Sequence, residues 1–349
     1  MRLDLAVPFA LPLSRRFRGT ELREGVLLRV GDGWGEWAPF PEYDDATAAR
    51  WLDGALEAAR GDWPDTYRDS VEVNAIVPAL GPEEVARLVV DAVTLDGCTT
   101  VKVKVAERGQ SFDDDVARLA SVRAALDDCG APAPVGRIRV DVNGAWTVDD
   151  AVERLPVLDD IAEGLEYAEQ PCATLEEMAS LREQTRVRLA VDEGVRLAAA
   201  GSGSGSGSGS VGDPGHAALA ARVRAAGDVL VLKATPMGGV RRSLAVADAV
   251  GLPVTVSGAL DSTVGLSAGL ALAAALPDPP YACGFGTGRL LGADLSRTTA
   301  LPRDGRLSVM RHAPDPVRLA EARARLDDAR AQWWLDRLAR CLDVVGEQQ

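Results

Sequence analysis

The feature that most constrains the fold is an alternation of strand-like and helix-like segments that begins near residue 72. Short β-branched runs such as VEVNAIV, TTVKVKV and RIRVDVN are each followed by a longer stretch with helical character, and the series closes with YACGFG, the eighth strand-like run. Strands that alternate with helices pair in parallel through right-handed crossovers, and eight of them close a barrel. The sequence therefore predicts an α/β fold built on an eight-stranded barrel.

The two ends of the chain do not share this alternation. Residues 1–70 predict an edge strand in MRLDLAVPFALPLSRR, hairpin-like strands after it and a helix in DDATAARWLDGALEAAR. Residues 301–349 predict one long amphipathic helix from 315 to 345, with Pro316 near its start, where proline is tolerated. We expect both ends to form one α+β capping domain over a barrel of residues 71–300.

Short motifs of other fold and enzyme classes fit the sequence poorly. An open, doubly wound sheet would need a G-x-G-x-x-G turn after its first strand, and NAIVPALG contains none. GLSAG at residues 265–269 resembles a serine-hydrolase motif, but it falls inside a predicted helix and neither histidine lies near a strand end. GFGTGR at residues 284–289 lacks the last glycine of a dinucleotide fingerprint, which favours a substrate-contacting turn after the last strand.

Composition and charge argue against several partner classes. The 349 residues include 38 Lys and Arg against 52 Asp and Glu, and a net charge of −14 argues against a nucleic-acid or anionic-membrane surface. The most apolar run of the later sequence, STVGLSAGLALAAALP, is too short to span a bilayer, which takes about 20 residues. Five widely spaced cysteines without a C-x-x-C pair fit free thiols in a reducing cytoplasm. The run GSGSGSGSGS at 201–210 predicts an exposed, linker-like loop within the barrel.

Charged residues follow five successive predicted strands at the point where each strand ends. The order is Lys104, Asp141, Glu169, Asp192 and Lys233. In an α/β barrel the carboxyl ends of the strands carry the chemistry, so these side chains should meet. Three clustered carboxylates repel one another unless a cation neutralises them, and hard oxygen ligands suit Mg²⁺, with Mn²⁺ as a possible substitute.

Each of these residues, taken alone, is compatible with an ordinary structural role. A single Asp or Glu at a strand end is more often a helix cap, but the D…E…D order with one βα unit per step favours a site. In VKVKV, Lys102 shares a face with Lys104, because successive side chains of a strand point to opposite faces. Two roles stay open for Lys102: direct participation, or a packed-in charge that lowers the pKa of its neighbour.

These residues resemble the pattern of the enolase superfamily, and within it the muconate-lactonizing-type subgroup. K-x-K at Lys102 to Lys104, the three carboxylates and Lys233 match, whereas the histidine base of the mandelate-racemase-type subgroup has no counterpart. The segments RFRGTELREGVLLR, GWGEWAPFPEYDD, DVNGAW and LKATPMGGVRR resemble the o-succinylbenzoate synthase family. The resemblance covers nearly the whole chain and implies a modified TIM barrel, (β/α)7β, with an α+β capping domain formed by the N-terminal segment and the C-terminal helix.

The resemblance also implies a function. That family performs the Mg²⁺-dependent syn-dehydration of 2-succinyl-6-hydroxy-2,4-cyclohexadiene-1-carboxylate in menaquinone biosynthesis, through an enediolate. The three carboxylates would bind the metal, Lys104 would be the base with its pKa lowered by Lys102, and Lys233 would stabilise the enediolate. The expected contacts to the small-molecule carboxylate substrate are Arg18, Gly19, Asn143, Ser257 and Gly258.

Some departures and rival functions remain. Gly258 stands where relatives often have a second serine, and DEG replaces the common DES. An N-succinylamino acid racemase or dipeptide epimerase would use the same two lysines on opposite faces of its substrate. A non-catalytic barrel that acts as a binding protein is the rival from a different class. The sequence leaves open whether the protein is a monomer or a homo-oligomer.

Overall fold

The computed structural model describes residues 3–17, 19–196 and 214–347. The predicted linker-like loop at 201–210 and the predicted substrate contact Arg18 lie outside the described residues. Within the part of the chain that is described, every helix is too short or too polar to traverse a bilayer.

The N-terminal elements form a three-stranded antiparallel sheet and a helix that packs on it. The first strand lies at the edge of the sheet, as predicted. The helix begins after Asp44, whose carboxylate accepts a hydrogen bond from the backbone N of Thr47 at 2.7 Å, and it ends at Gly61 with a φ of 71°. These elements are β1 (Leu5–Phe17), β2 (Thr20–Val30), β3 (Gly33–Trp37) and α1 (Asp45–Arg60).

The middle of the chain alternates parallel strands with helices, as the sequence predicts. The strands are β4 (Ser70–Val77), β5 (Thr100–Lys104), β6 (Arg137–Asp141), β7 (Leu165–Glu169), β8 (Leu189–Val191), β9 (Val229–Leu232), β10 (Val254–Val256) and β11 (Cys283–Gly286). The helices between them are α2 (Pro82–Thr94), α3 (Phe112–Asp128), α4 (Val148–Ile161), α5 (Leu175–Arg182), α6 (Pro214–Ala226), α7 (Val240–Val250) and α8 (Thr263–Ala275).

The sheet closes into a barrel. Its strands are ordered β10-β9-β8-β7-β6-β5-β4-β11, and a bridge between Ser257 and Gly284 joins the two ends of this series. Val101 and Val103 of β5 are fully buried against the surrounding helices. Because side chains alternate along a strand, Lys102 and Lys104 point to the opposite face, into the barrel. The predicted (β/α)7β barrel is confirmed.

The C-terminal segment differs from the single long helix that the sequence predicts. It forms α9 (Pro316–Ala324) and α10 (Asp328–Glu347), preceded by a short strand, β12 (Arg306–Ser308), that pairs with β4. Between the helices, Leu326 turns into the core and Asp327 accepts a hydrogen bond at 2.7 Å from a backbone N–H in the first turn of α10. The prediction of one continuous helix is wrong because the Asp327 cap and the buried Leu326 stabilise a turn between the two helices.

Both ends of the chain share one apolar cluster. Trp37 of β3 and Trp51 of α1 are buried together with Trp334 of α10. The rings of Trp37 and Trp334 meet edge to face, with centroids 5.7 Å apart, a favourable arrangement for aromatic pairs. The two terminal segments therefore form one cap, as expected, and the domain boundaries near residues 70 and 300 stay a prediction.

Helix α1 docks the cap on the barrel segment that follows β9. A Cβ added at Gly54 would stand 2.7 Å from the carbonyl oxygen of Thr235, so the two backbones touch. Glu57, on the same helix, accepts hydrogen bonds from two backbone N–H groups in the first turn of α7. Because Lys233 lies in the docked segment, the cap helps to position one of the predicted site residues.

Replacing Gly54 with alanine should therefore destabilise the protein, although the change normally stabilises a helix by up to about 1 kcal/mol. The added methyl overlaps the Thr235 backbone, and we expect the free energy of unfolding to fall by about 1–3 kcal/mol. Urea unfolding measures the change. Gly346→Ala is the matched control, because Gly346 is exposed in α10 with nothing within 4 Å of an added Cβ. A Gly54→Ala variant as stable as wild type would contradict this docking.

Candidate active site

Five charged side chains meet at one end of the barrel. Lys104, Asp141 and Glu169 are the last residues of β5, β6 and β7, and Asp192 and Lys233 directly follow β8 and β9. The strand register places Lys104 beside Asp141 and Asp141 beside Glu169, so neighbouring side chains lie at one level. The structure thus brings together all five residues predicted from the strand ends.

The two lysines of β5 pair with two of the carboxylates. Lys102 Nζ lies 2.9 Å from Glu169 Oε1 and 3.1 Å from Asp141 Oδ2. Lys104 Nζ lies 2.5 Å from the same oxygen of Asp141. Asp141 and Glu169 are each only 1% exposed, so these ion pairs rather than water compensate their charge.

Asp192 is compensated from the other side of the barrel. Its carboxylate contacts Lys233 Nζ and lies 3.1 Å from Nε of Arg196. Burial by itself would raise the pKa of Asp192, but the Arg196 and Lys233 cations lower it well below its ordinary value. Asp192 is therefore held as a carboxylate.

The three cations that β5 and the end of β9 contribute to the cluster are all lysines. Lys102, Lys104 and Lys233 are the only lysines of the chain, among 38 basic residues. Arginine would serve equally well to neutralise a buried carboxylate, but its guanidinium does not lose a proton in proteins. A chain that otherwise uses arginine thus places all three of its lysines, whose ammonium groups can release a proton, in this cluster.

Burial and neighbouring charges separate the two lysines of β5. Burial lowers the pKa of Lys104, and the Lys102 ammonium lowers it further, against the attraction of Asp141. Burial acts on Lys102 as well, but the carboxylates of Glu169 and Asp141 raise the pKa of Lys102 above its ordinary value. Lys104 is therefore the one of the two that loses its proton more readily.

The three carboxylates are the donors we predicted for a metal ion. Among the described residues, no three His, Cys, Asp or Glu side chains are arranged around a common point as metal ligands would be. The carboxylate oxygens form ion pairs with lysines instead. The donor chemistry nevertheless fits a hard divalent cation, because the set is buried and offers only oxygen. Burial and the Asp141 carboxylate raise the pKa of Glu169 to about 7. A bound cation would relieve the repulsion between these two carboxylates. The assignment of the three ligands stays a prediction.

A cleft opens between two of the lysines. Lys104 and Lys233 both line it, and their strands lie four positions apart in an eight-stranded barrel, so the ammonium groups face each other from opposite walls. The predicted substrate contacts Asn143, Ser257 and Gly258 also line the cleft. Asn143 Oδ1 accepts a hydrogen bond from Lys104 Nζ at 2.6 Å. Three of the predicted contacts therefore share one cavity with both lysines.

The cap reaches the cleft through Phe17, the last residue of β1. Its ring centroid lies 5.7 Å from Lys104 Nζ, within the range of a cation–π contact. Gly19, another predicted substrate contact, follows in the turn to β2 with a φ of 76°, and it is not part of the described cleft wall. The structure thus places Phe17 at the site, and the contact of Gly19 with the substrate stays a prediction.

Gln170 is a residue that sequence reasoning missed. It is fully buried and has a φ of 41°, a conformation that costs energy for any residue other than glycine. Its Oε1 accepts hydrogen bonds from the backbone N of Asp192 at 3.0 Å and of Gly194 at 3.1 Å, and its Nε2 donates to the Cys172 carbonyl at 2.9 Å. These bonds tie the end of β7 to the end of β8. A polar residue directly after Glu169 was the one available signal.

Comparison with known proteins agrees with this architecture. Residues 8–59 match the family described as Enolase N-terminal domain-like, and residues 84–199 match Enolase C-terminal domain-like. The o-succinylbenzoate synthase of Thermobifida fusca (strain YX) is 50% identical to the chain over 332 residues, which cover 93% of this chain and 96% of the relative. The chain belongs to the o-succinylbenzoate synthase family, within the enolase superfamily.

A second curated relative supports the same family, and a solved structure supports the fold. The o-succinylbenzoate synthase of Mycolicibacterium smegmatis is 45% identical, over 96% of this chain and 94% of the relative. The solved structure of muconate lactonizing enzyme from Pseudomonas putida shares the fold with a TM-score of 0.69 at 19% identity, covering 92% of this chain and 98% of that one. Enolase superfamily enzymes generally use a divalent metal, which agrees with the oxygen donor set of this member of the o-succinylbenzoate synthase family.

Replacing Glu169 with glutamine tests the ligand set, because the change removes one negative charge and keeps the size of the side chain. We expect the affinity for Mg²⁺ to fall by at least about tenfold, since changes even to outer partners of metal ligands have effects of this order. Calorimetric titration measures the affinity. Glu166→Gln is the matched control on the same strand, because Glu166 pairs with Arg139 at 2.5 Å. Unchanged affinity in Glu169→Gln would remove Glu169 from the ligand set.

Proposed function

We propose that the chain is an o-succinylbenzoate synthase, a lyase that removes water from 2-succinyl-6-hydroxy-2,4-cyclohexadiene-1-carboxylate to give 2-succinylbenzoate in menaquinone biosynthesis. The observation that carries the proposal is the pair of lysines, Lys104 and Lys233, on opposite walls of one cleft beside three buried carboxylates. The 50% identity to an o-succinylbenzoate synthase supports it. Five free thiols support a cytoplasmic location.

The metal ligands in this proposal are Asp141, Glu169 and Asp192, and the ion is Mg²⁺, with Mn²⁺ as a possible substitute. When bound, the cation supplies positive charge that stabilises the anion formed from the substrate carboxylate. The chain contributes three acidic side chains at the ends of adjacent strands, where they are buried from water. Lysines neutralise their charge, and a bound cation would replace the lysines as the partner of the carboxylates.

Lys104 acts as the base. A proton next to a carboxylate is very weakly acidic, so the amine that removes it must be neutral, and burial together with Lys102 lowers the pKa of Lys104. Lys104 takes the proton from the carbon that bears the carboxylate, and the electron pair of that C–H bond moves onto the carboxylate to give the enediolate. The pair then returns to form the new ring double bond as the C–O bond of the neighbouring hydroxyl breaks. The Lys104 ammonium returns the proton to the departing hydroxyl, which leaves as water from the same face. The ring becomes aromatic, which drives the reaction.

Lys233 stays protonated and stabilises the developing negative charge from the opposite wall. As the ring becomes aromatic, its face offers the ammonium a cation–π contact. Asn143, Ser257 and Gly258 contact the substrate in this proposal, and their place in the cleft wall supports the assignment. The proposed contacts Arg18 and Gly19 rest on the resemblance in sequence and on their position directly after Phe17.

The facing lysines also favour a second candidate, N-succinylamino acid racemisation or dipeptide epimerisation. In that reaction one lysine removes the α-proton and the other returns a proton from the opposite face. Exchange of the α-hydrogen of an N-succinylamino acid in D₂O tests it. The substrate is a small-molecule carboxylate in either case.

The dehydration assay tests the proposal. With the cyclohexadiene substrate and Mg²⁺, wild type should remove the diene absorbance, and excess EDTA should stop the reaction. In Lys104→Ala the proton acceptor is missing, and we expect kcat to fall by about 10³-fold, within the range of general-base effects. Circular dichroism shows whether the variant is folded. Near-normal turnover of folded Lys104→Ala would contradict the base assignment, and no turnover of wild type would contradict the dehydratase.

A further inference from the structure

The cleft wall includes a loop in a strained conformation. Residues 257–262, which follow β10 and are called here the β10 loop, line the cleft from Ser257 to Leu260. Leu260 has a φ of 65°, in the left-handed region that a residue with a Cβ adopts only at a cost. Such a conformation persists when the surroundings hold it in place.

The holding contact comes from the cap. Arg23 of β2 is only 2% exposed, and its Nε donates a hydrogen bond to the carbonyl oxygen of Leu260 at 3.0 Å. A second guanidinium nitrogen donates to the carbonyl of Ala38, and the guanidinium carbon lies 4.7 Å from the ring centroid of Phe40, another residue of the cleft wall. Arg23 therefore joins the cap to the strained residue without belonging to the described cleft wall itself.

Two carboxylates fix the loop on either side of Leu260. Asp261 Oδ2 accepts a hydrogen bond from the backbone N of Ala259 at 2.8 Å. Glu36 of β3, which is 4% exposed, accepts hydrogen bonds from the backbone N of Ser262 at 3.3 Å and from the Ser262 hydroxyl. Two of the anchors of the loop, Arg23 and Glu36, are thus buried residues of the cap.

We propose that Arg23 is a positioning residue that holds Leu260 in its left-handed conformation and thereby sets the shape of the cleft wall that the β10 loop forms. Because Arg23 acts on the wall and not on the reacting atoms, its loss should weaken substrate binding more than it slows the chemical step. The effect on KM rests on the proposed function, whereas the hold on the loop does not.

Arg23→Met keeps most of the side-chain volume and removes the hydrogen bonds. We expect KM for the cyclohexadiene substrate to rise about tenfold or more, while kcat changes less than about threefold. Arg23→Lys keeps the positive charge beside Glu36 and Asp261 but loses the forked N–H donors of the guanidinium group. Its KM should therefore lie between those of wild type and Arg23→Met. If Arg23→Met does not fold, the KM of Arg23→Lys tests the proposal in its place. An unchanged KM in a folded variant, or a fall in kcat alone, would overturn the proposal.

Arg123→Met is the matched control for the loss of a buried arginine. Arg123 is 5% exposed and donates to the carbonyls of Ala131 and Gly136, each at 2.8 Å, on the outer side of the barrel at α3. Its removal should lower the unfolding temperature and leave KM unchanged. If both variants raise KM equally, the effect of Arg23 is a general loss of stability and the proposal fails.

A double-mutant cycle tests the link between Arg23 and Leu260. Glycine adopts a positive φ without cost, so a Leu260→Gly background no longer needs the arginine to hold the conformation. In that background the effect of Arg23→Met on KM should fall from about tenfold to below about threefold. A full effect in both backgrounds would show that Arg23 does not act through the conformation of Leu260.

Amide hydrogen exchange gives a readout that needs no substrate. Exchange in the β10 loop should be faster in Arg23→Met than in wild type or Arg123→Met, because the loop has lost its anchor to the cap. Equal exchange in all three proteins would overturn the proposal even if the enzyme proves active. Faster exchange confined to Arg23→Met would support it even if wild type fails the dehydration assay.

Discussion

Three carboxylates buried at one end of a barrel repel one another, and the lysines and the arginine around them compensate that repulsion. Parallel strands bring Asp141, Glu169 and Asp192 together because their carboxyl ends all reach the same rim. Lysines one strand outside on either side supply the positive charge, and one of them, Lys104, has its pKa lowered by the same burial. In the proposed function, the same cluster would hold a cation and supply an amine that takes a proton.

The cap completes this site from outside the barrel. Helix α1 touches the segment that carries Lys233, Phe17 reaches the Lys104 ammonium, and Arg23 holds the β10 loop. In this proposal the barrel supplies the charged residues of the site, and residues of the cap shape the wall that the substrate meets. The cap is built from both ends of the chain and packs as one apolar unit.

The sequence predicted the barrel and its five strand-end residues well, because strand and helix periods are local and the polar residue ending each strand is visible. It did not predict the break at Asp327, since the turn there depends on the packing of Leu326. Gln170 and Arg23 were also missed as anchors. In sequence each looks like an ordinary surface residue. Tertiary contacts bury both: Gln170 has a left-handed backbone itself, and Arg23 contacts Leu260, which has one.

The measurement that tests the electrostatic account most directly is NMR titration of protein labelled only at lysine, which should give three side-chain signals because the chain has three lysines. We predict that the Lys104 signal, identified by its absence in Lys104→Ala, titrates below the ordinary lysine value of 10.5, and that the Lys102 signal titrates above it. The lowered pKa leaves more neutral amine near neutral pH, as a base requires. A Lys104 signal that titrates at or above the ordinary value would contradict the account.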